Sequence, residues 1–495
     1  MNAASPDASK APSPDSHPYW TWLLAITGVV VCARLLVLSL TPLDLFYDEA
    51  QYWFWSLDPA LGYFSKPPLV AWLIGLTTSV CGTSEGCVRA AAPILHGLTT
   101  LCLFGLGRTL YDERTAFLAS LGYLFAIAVA ASSLLISTDV PLLVCWVLGL
   151  WSLALYLQKP SAKFAIGFGL AIAVGLNAKY AMIYFPLCLL AYLVLTADRR
   201  VLLKRLDLWL GVAVGMLGFI PNLVWNANND FITFSHTGEN ISGEGFTLNP
   251  ISFLEFFGSQ FGVAGPILFA AFLLALIRRW RSDRPKADRL LLFFSLPILG
   301  LLALQAFQSS ANYNWAATAY PALILVTTAI LLGTARNGWV RWNLITCVVF
   351  AGLFAGAALA VLALRPDHPI VSRTNLEDMF GWAEHAEEIG HHLDRIEPDA
   401  LVTVGRRYAA GFAYYMRDRD EPMRAFKRAG SGPRNHFEFI APWSGTEDTG
   451  RTVIISPGNV RPVPDARLIG VINADDGAAP FRSNTYLFLV DRSLP

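Results

Sequence analysis

Charge is what this sequence has little of. Of its 495 residues 15% are Asp, Glu, Lys or Arg, with 37 of each sign, against roughly 25% in an ordinary soluble domain. That deficit excludes a disordered chain, a nucleic-acid binder working by bulk positive charge, and most multidomain soluble enzymes. Cysteine is sparse too, with seven in all. Five of them, Cys32, Cys102, Cys145, Cys188 and Cys347, lie in apolar stretches as small fillers, and no pair has metal-ligand spacing. Cys81 and Cys87 flank a Gly-containing turn and are spaced to bridge in an oxidising compartment. No internal repeat is visible.

What is present is long apolar runs. Eleven stretches are candidate membrane spans: 20–40, 91–107, 115–133, 140–158, 164–177, 181–196, 208–225, 251–277, 290–306, 318–334 and 343–364. Only Arg34 and Glu255 are charged within them. A charge at a helix centre costs roughly 2.5–3.5 kcal/mol, so so sharp a partition is the mark of a lipid solvent. The chain is expected to be an α-helical polytopic membrane protein. One alternating set of loops carries 16 Lys and Arg and the opposite set three, which places the rich set in the cytoplasm and the poor set outside. The alternation closes if 67–82, which opens with Pro67 and Pro68, lies along the outer surface instead of crossing.

Three regions result. Residues 1–19, rich in Ser, Pro, Ala and Asp, are expected to be a disordered cytoplasmic tail. Residues 20–365 form the transmembrane domain, its first run an uncleaved anchor and its first outer loop at 41–90. Residues 366–495 return to soluble charge density and are expected to form a small periplasmic α/β domain. Its pattern suggests helices at 376–396 and 406–416, a strand at 400–404, and β-rich segments near 437–441, 452–456, 467–473 and 485–490.

Polar residues that lipid would forbid gather on the outer side. The first loop reads Phe46-Tyr47-Asp48-Glu49-Ala50-Gln51-Tyr52-Trp53, then Gly62-Tyr63-Phe64-Ser65-Lys66-Pro67-Pro68. Adjacent acids in a run of aromatics point to a general base more than to an interfacial aromatic belt. At the same level fall Asp139, Lys179, and the loop bearing Asn226, Asn228, Asp230 and His236. Asp139 is also placed to cap a helix, Lys179 to snorkel to headgroups, and His236 to be a bystander. Lysines at headgroup level hold phosphate as point charges, and a carboxylate takes the proton of an attacking hydroxyl. The set fits displacement of a lipid phosphate from a sugar carbon. A transporter of lipid-linked sugars, the competing class, would place ionisable groups at the midplane between repeats, and here the midplane is nearly empty.

Tyr47-Asp48-Glu49-Ala50-Gln51-Tyr52-Trp53 with the later Lys66-Pro67-Pro68 resembles the first-loop signature of the membrane glycosyltransferases related to protein O-mannosyltransferases and the lipid A aminoarabinose transferase. Thr138-Asp139, Lys179-Tyr180, Trp225-Asn226 with His236, and Asn314-Trp315 fall where that family has similar elements. The resemblance covers roughly residues 20–340, with Arg407-Tyr408 and Phe412 to Tyr415 resembling the family's C-terminal domain less specifically. It implies a C-type glycosyltransferase fold and inverting transfer of a sugar from a polyprenyl-phosphate donor. It further implies Asp48 as base, Glu49 as its supporting partner, Asp139 shaping the acceptor side, and Lys66 and Lys179 on the leaving phosphate. Tyr63, Tyr180, Asn226 and His236, in the matching motifs, are expected to bind substrate. A single in-line displacement needs one base, because phosphate leaves without protonation. Where the aminoarabinose transferase carries an acid resembling a metal ligand, this chain has Ser65. A divalent ion, the one cofactor left open, would rest on a carboxylate with His236. Gly-Tyr-Phe-Ser-Lys-Pro-Pro is closer to lipopolysaccharide-modifying members, so a glycolipid acceptor is expected, with protein O-glycosylation as the alternative.

Overall fold

The computed structural model describes residues 18–242, 248–278, 285–360, 379–447, 450–473 and 484–492. Helix α1 (Pro18–Leu40) leads into a loop bearing α2 (Tyr47–Ser56) and α3 (Leu69–Cys81), followed by α4 (Glu85–Leu110), α5 (Glu113–Leu124) and α6 (Ile127–Ser132). Then come α7 (Asp139–Gln158), α8 (Ala162–Ala178), α9 (Tyr180–Leu195), α10 (Leu206–Ala227) and α11 (Ile232–Ser242). The helical region ends with α12 (Pro250–Ala264), α13 (Pro266–Ile277), α14 (Lys286–Gln308), α15 (Tyr313–Gly333) and α16 (Asn337–Ala360).

Among the described residues seven helices, α1, α4, α7, α10, α14, α15 and α16, are long and apolar enough to cross a bilayer. Two bent pairs pass the same test jointly: α9 with Ala197–Lys204, and α12 with α13, turning by 118° and 114°. The apolar stretches 115–133 and 164–177 correspond to α5 with α6, broken near Phe125, and to the 17-residue α8. Helix α3 has 13 residues, roughly 20 Å at 1.5 Å per residue, short of a hydrocarbon core of about 30 Å. The tail 1–17 and the segment 361–378 lie outside the described residues.

The helices sort by burial. Those at the centre, α7 and α15, bury 72% of their apolar windows, whereas α1 buries 22% and α16 17%. Val29, Leu36, Val349 and Leu353 stand exposed on those outer two, an apolar surface whose solvent is lipid. Small residues let helices touch where lipid gives no hydrophobic drive. A Cβ on Gly169 of α8 would run into the Gly211 carbonyl of α10, and one on Gly211 into the Ala165 carbonyl.

The C-terminal region is a layered α/β unit: α17 (Trp382–Ile396), β1 (Ala400–Thr403), α18 (Arg406–Tyr415), β2 (Met423–Phe426), α19 (His436–Ile440), β3 (Pro442–Trp443), β4 (Arg451–Ser456), β5 (Arg467–Ile472) and β6 (Thr485–Asp491). The sheet order is β3-β2-β1-β4-β6-β5. Strands β1 to β4 pair in parallel and β6 runs antiparallel to β4 and β5. Strand β1 is buried at all four positions, as a central parallel strand covered on both faces must be. The segment expected as β-rich at 437–441 is instead the short helix α19. The Asn435 side chain accepts from the Glu438 N–H (3.0 Å) and caps it, a local bond that outcompetes the alternating pattern.

This unit is joined to the first loop. Asp44 accepts from the Trp382 N–H (2.8 Å), and the Leu45 N–H donates to the Tyr415 hydroxyl (2.6 Å). The Tyr414 hydroxyl donates to the Thr83 carbonyl while its ring meets Trp53 edge-on at 4.8 Å. Thr83 sits in the turn closed by a Cys81–Cys87 disulfide, with Cα atoms 5.9 Å apart, a separation usual for such bridges.

Candidate active site

Helix α2 carries both acids in its first turn, where negative charge suits the helix dipole, but it turns them to different surroundings. Glu49 is buried, 2% exposed, against a fully buried Arg89. The Arg89 guanidinium donates to both its carboxylate oxygens, at 2.7 Å from Nη2 and 3.0 Å from Nε. The Phe46 and Ile136 backbone N–H groups complete the shell at 3.1 and 2.9 Å. With Arg89 also donating to the Leu43 and Asp44 carbonyls, Glu49 ties the loop to α4 and to the start of α7. Its oxygens are committed, which suits positioning of its neighbour.

Asp48 is the opposite case, 37% exposed. It lines a cavity of about 370 Å³ together with Tyr52, Asp139, Asn314, His96 and Tyr320. Its Oδ1 accepts from Nη2 of Arg406, the first residue of α18. Arg406 Nε donates to the buried Gln51 side chain (2.8 Å), and its guanidinium lies 5.2 Å from the Tyr47 ring centre. No hydrogen bond from a described residue reaches Asp48 Oδ2.

Across the cavity Asp139 opens α7 without capping it. Its Oδ1 accepts from Lys179 Nζ at 2.7 Å and its Oδ2 from Asn314 Nδ2 at 2.9 Å. Lys179 therefore turns inward to a partner. It sits in the extended joint after α8. Lys66 lies within electrostatic reach of Lys179, Asp48, Asp139 and Arg406, and among the described residues no carboxylate comes within ion-pair distance of it. Burial first, and the Lys179 charge second, push its ammonium below the usual lysine value. Asp48, Lys66, Asp139 and Lys179 are thus gathered into one site, with an ammonium that has no counter-charge of its own.

The other expected residues hold the site's walls. Tyr63 stacks on Trp55 at 4.6 Å, donates to the Trp55 carbonyl (2.9 Å) and accepts from the Ala60 N–H (3.0 Å). The Tyr180 hydroxyl donates to Asn222 Oδ1 (3.0 Å), Asn226 Nδ2 donates to the Asn222 carbonyl (3.0 Å), and Asn222 in turn donates to the Leu61 carbonyl (2.8 Å). A Cβ on Gly62 would come 2.6 Å from the Trp225 ring, so glycine is what permits this contact. His236 meets Phe64 edge-on at 5.3 Å. These four brace the Lys66 turn; none of them lines the cavity.

No group of three or more His, Cys, Asp and Glu able to hold a metal ion occurs among the described residues. Both Asp139 oxygens are engaged by Lys179 and Asn314, and His236 packs edge-on to Phe64.

Four contributors were given no role beforehand, Arg89, Gln51, Asn314 and Arg406, although Gln51 and Asn314 stand in the motifs that carry the resemblance. Arg89 had a signal, being one of only three basic residues in the outer loops; the other two are Lys66 and Lys179. Arg406 had none, since it lies where arginines are ordinary.

The family model for dolichyl-phosphate-mannose-protein mannosyltransferases matches residues 65–225. The lipid A galacturonosyltransferase RgtD of Rhizobium johnstonii is 30% identical over 445 residues, 88% of this chain and 90% of that protein. The chain belongs to the polyprenyl-phosphate-sugar-dependent membrane glycosyltransferases. A second relative of this glycosyltransferase, the lipopolysaccharide core galacturonosyltransferase RgtA of the same organism, is 29% identical over 194 residues, 38% of either chain. Among solved structures, apo ArnT from Cupriavidus metallidurans superposes with a TM-score of 0.65 at 16% identity, covering 95% of this chain and 98% of that one. The same protein bound to undecaprenyl phosphate gives 0.63 over the same shares. The fold of this transferase is accordingly the C-type membrane glycosyltransferase fold with a small C-terminal α/β domain.

Proposed function

We propose that this enzyme transfers a galacturonosyl residue, with inversion, from a polyprenyl-phosphate donor to lipid A on the periplasmic face of the inner membrane. Its relatives RgtD and RgtA supply the sugar and the acceptor class, and the basic-rich loops opposite the site supply the side. The carrying observation is the Lys66 ammonium, with no carboxylate of the described residues at ion-pair distance, within electrostatic reach of the cavity-lining Asp48.

A donor phosphodiester brings one negative charge, and Lys66 meets it in a low-dielectric site where a fixed cation is worth far more than in water. The acceptor hydroxyl approaches Asp48 Oδ2, gives it the proton and attacks the anomeric carbon from the face opposite the phosphate. Asp139, held by Lys179 and Asn314, orients the acceptor side. The Tyr320 hydroxyl, buried in the cavity wall with no hydrogen-bond partner among the described residues, is a ready contact for a sugar hydroxyl. Glu49 acts through Arg89 as a positioning residue, and the described C-terminal α/β unit forms the periplasmic cover.

Purified enzyme, polyprenyl-phosphate galacturonate and lipid A should yield lipid A heavier by one hexuronic acid residue in mass spectrometry. Transfer to a Ser/Thr peptide with lipid A left unmodified would replace this acceptor with a protein.

A further inference from the structure

We infer that Arg406 of the C-terminal domain is a catalytic residue: it neutralises Asp48 in the resting site and passes to the leaving phosphate as Asp48 takes up the acceptor proton. This rests on the reading of Asp48 as the base.

The charges around the cavity lead there. Three cations, Lys66, Lys179 and Arg406, face two acids, Asp48 and Asp139, once Glu49 and Arg89 have cancelled each other in the buried layer beneath. One positive charge is left over, and the phosphodiester's single negative charge balances it; the uronate carboxylate stays on the sugar and is the same before and after transfer. As the sugar leaves, a lone pair of the acceptor oxygen forms the new bond to the anomeric carbon. The carbon–oxygen bond to phosphate breaks with its electron pair on the phosphate, and the acceptor proton goes to Asp48. The phosphate is now a monoester approaching two negative charges while Asp48 is neutral. The balance holds again only if the cation that had faced Asp48 faces the phosphate.

Arg406 is placed for that exchange and Lys179 is not. Lys179 is held to Asp139, a pair the proton does not disturb, with side chains 19% and 10% exposed. Arg406 and Asp48 are 35% and 37% exposed, so the guanidinium has room to turn. Its Nε bond to the buried Gln51 (2.8 Å) is independent of Asp48 and keeps the arginine at the site when the carboxylate lets go. A guanidinium also suits a phosphate, whose oxygens it meets two at a time. Strand β1 and its helix α18 bring the residue in, Arg406 being the first helical position after the carboxyl end of that strand. At that point the order β2-β1-β4 reverses direction, the place where open α/β sheets receive ligands.

The test joins turnover to undecaprenyl phosphate binding by the full-length enzyme. Asp48→Asn removes the charge that holds Arg406, so undecaprenyl phosphate should bind about tenfold tighter than to the wild type, as one charge-assisted contact predicts. Adding Arg406→Ala should abolish that gain. In turnover Arg406→Ala should lower kcat by about 100-fold with donor KM within about threefold, the signature of a contact made as the bond breaks. Arg406→Lys should recover kcat to within about tenfold of the wild type. Arg406→Gln, which keeps the bond to Gln51, should match Ala in kcat and covers the case in which Ala loosens the domain. Absent tightening in Asp48→Asn, tightening that survives Arg406→Ala, or a kcat for Arg406→Gln within threefold of wild type overturns the inference. Should Asp48→Asn itself turn over normally, the base assignment fails and this exchange fails with it; a dead Asp48→Asn beside a fully active Arg406→Gln defeats the exchange alone.

Discussion

The two faces of helix α2 hold the same chemistry in different solvents. On the inner face Glu49, which borders the cavity but is almost fully buried, is locked to Arg89 with every carboxylate oxygen bonded. On the outer face Asp48 and Arg406 meet at the edge of a cavity with one carboxylate oxygen open. Adjacent residues of one type therefore divide into a fixed pair that shapes the loop and an exchangeable pair that can react. Burial, not residue identity, makes the difference: a sealed pair broken on one side strands a charge, while an open pair can give up its partner to water or substrate.

Substitutions can break this contrast in order of effect. Asp48→Asn should cut turnover by about 10²- to 10⁴-fold, the range for losing a general base, without weakening donor binding; steady-state kinetics beside donor titration reads both. Glu49→Gln should leave Arg89 uncompensated in the interior and cost about 3–5 kcal/mol of stability, seen as a lower unfolding temperature in detergent. An unchanged melting profile would erase the distinction between the two acids. Lys66→Ala should weaken donor affinity by about 10- to 100-fold, the worth of one charged hydrogen bond to phosphate, with kcat at saturating donor less affected. Equal affinity for wild type and variant would remove Lys66 from the phosphate.

The smallest effect concerns Asp44 at the seam with the C-terminal domain. Burial, opposed by the Trp382 N–H and assisted by Glu384, pushes its carboxyl up to about 7 from an ordinary 3.8. A carboxyl raised in the folded state contributes stability that is full below pH 4 and is lost as pH rises through 7. The seam should tighten on acidification from pH 8 to 5, measured by hydrogen exchange at 379–385, and Asp44→Asn should flatten that dependence.

Lipid made much of this legible in the sequence. Where the solvent excludes charge, Lys66 and Lys179 stood out as two of only three basic residues in the outer loops, and Asp48 and Asp139 stood out through the motifs that carry them. The helical region, the surface helix after Pro68 and the C-terminal α/β unit followed from hydropathy and period, while the helix bearing Asp48 and Glu49 followed only from the family resemblance. The same reading stopped where water returns. Arg406 is one of many arginines in a domain of normal charge, and its meeting with Asp48 spans 358 positions of sequence, which no local pattern reports. Spacing could not tell that Tyr63, Tyr180 and Asn226 brace walls, because aromatic and amide side chains serve a substrate and a neighbouring backbone equally well. Strand β2 and helix α19 were missed for a third reason, since a four-residue strand and a five-residue helix are too short for periodicity to declare itself.

The bonds from Asp44, Leu45 and Thr83 to the 379–415 region bear on how new specificities can be built. A chimaera that imports a relative's terminal domain alone would graft foreign contacts onto the strip of chain that presents the proton acceptor. Loop 41–90 and the terminal domain should be exchanged as one cassette, leaving the remaining helices of the host in place.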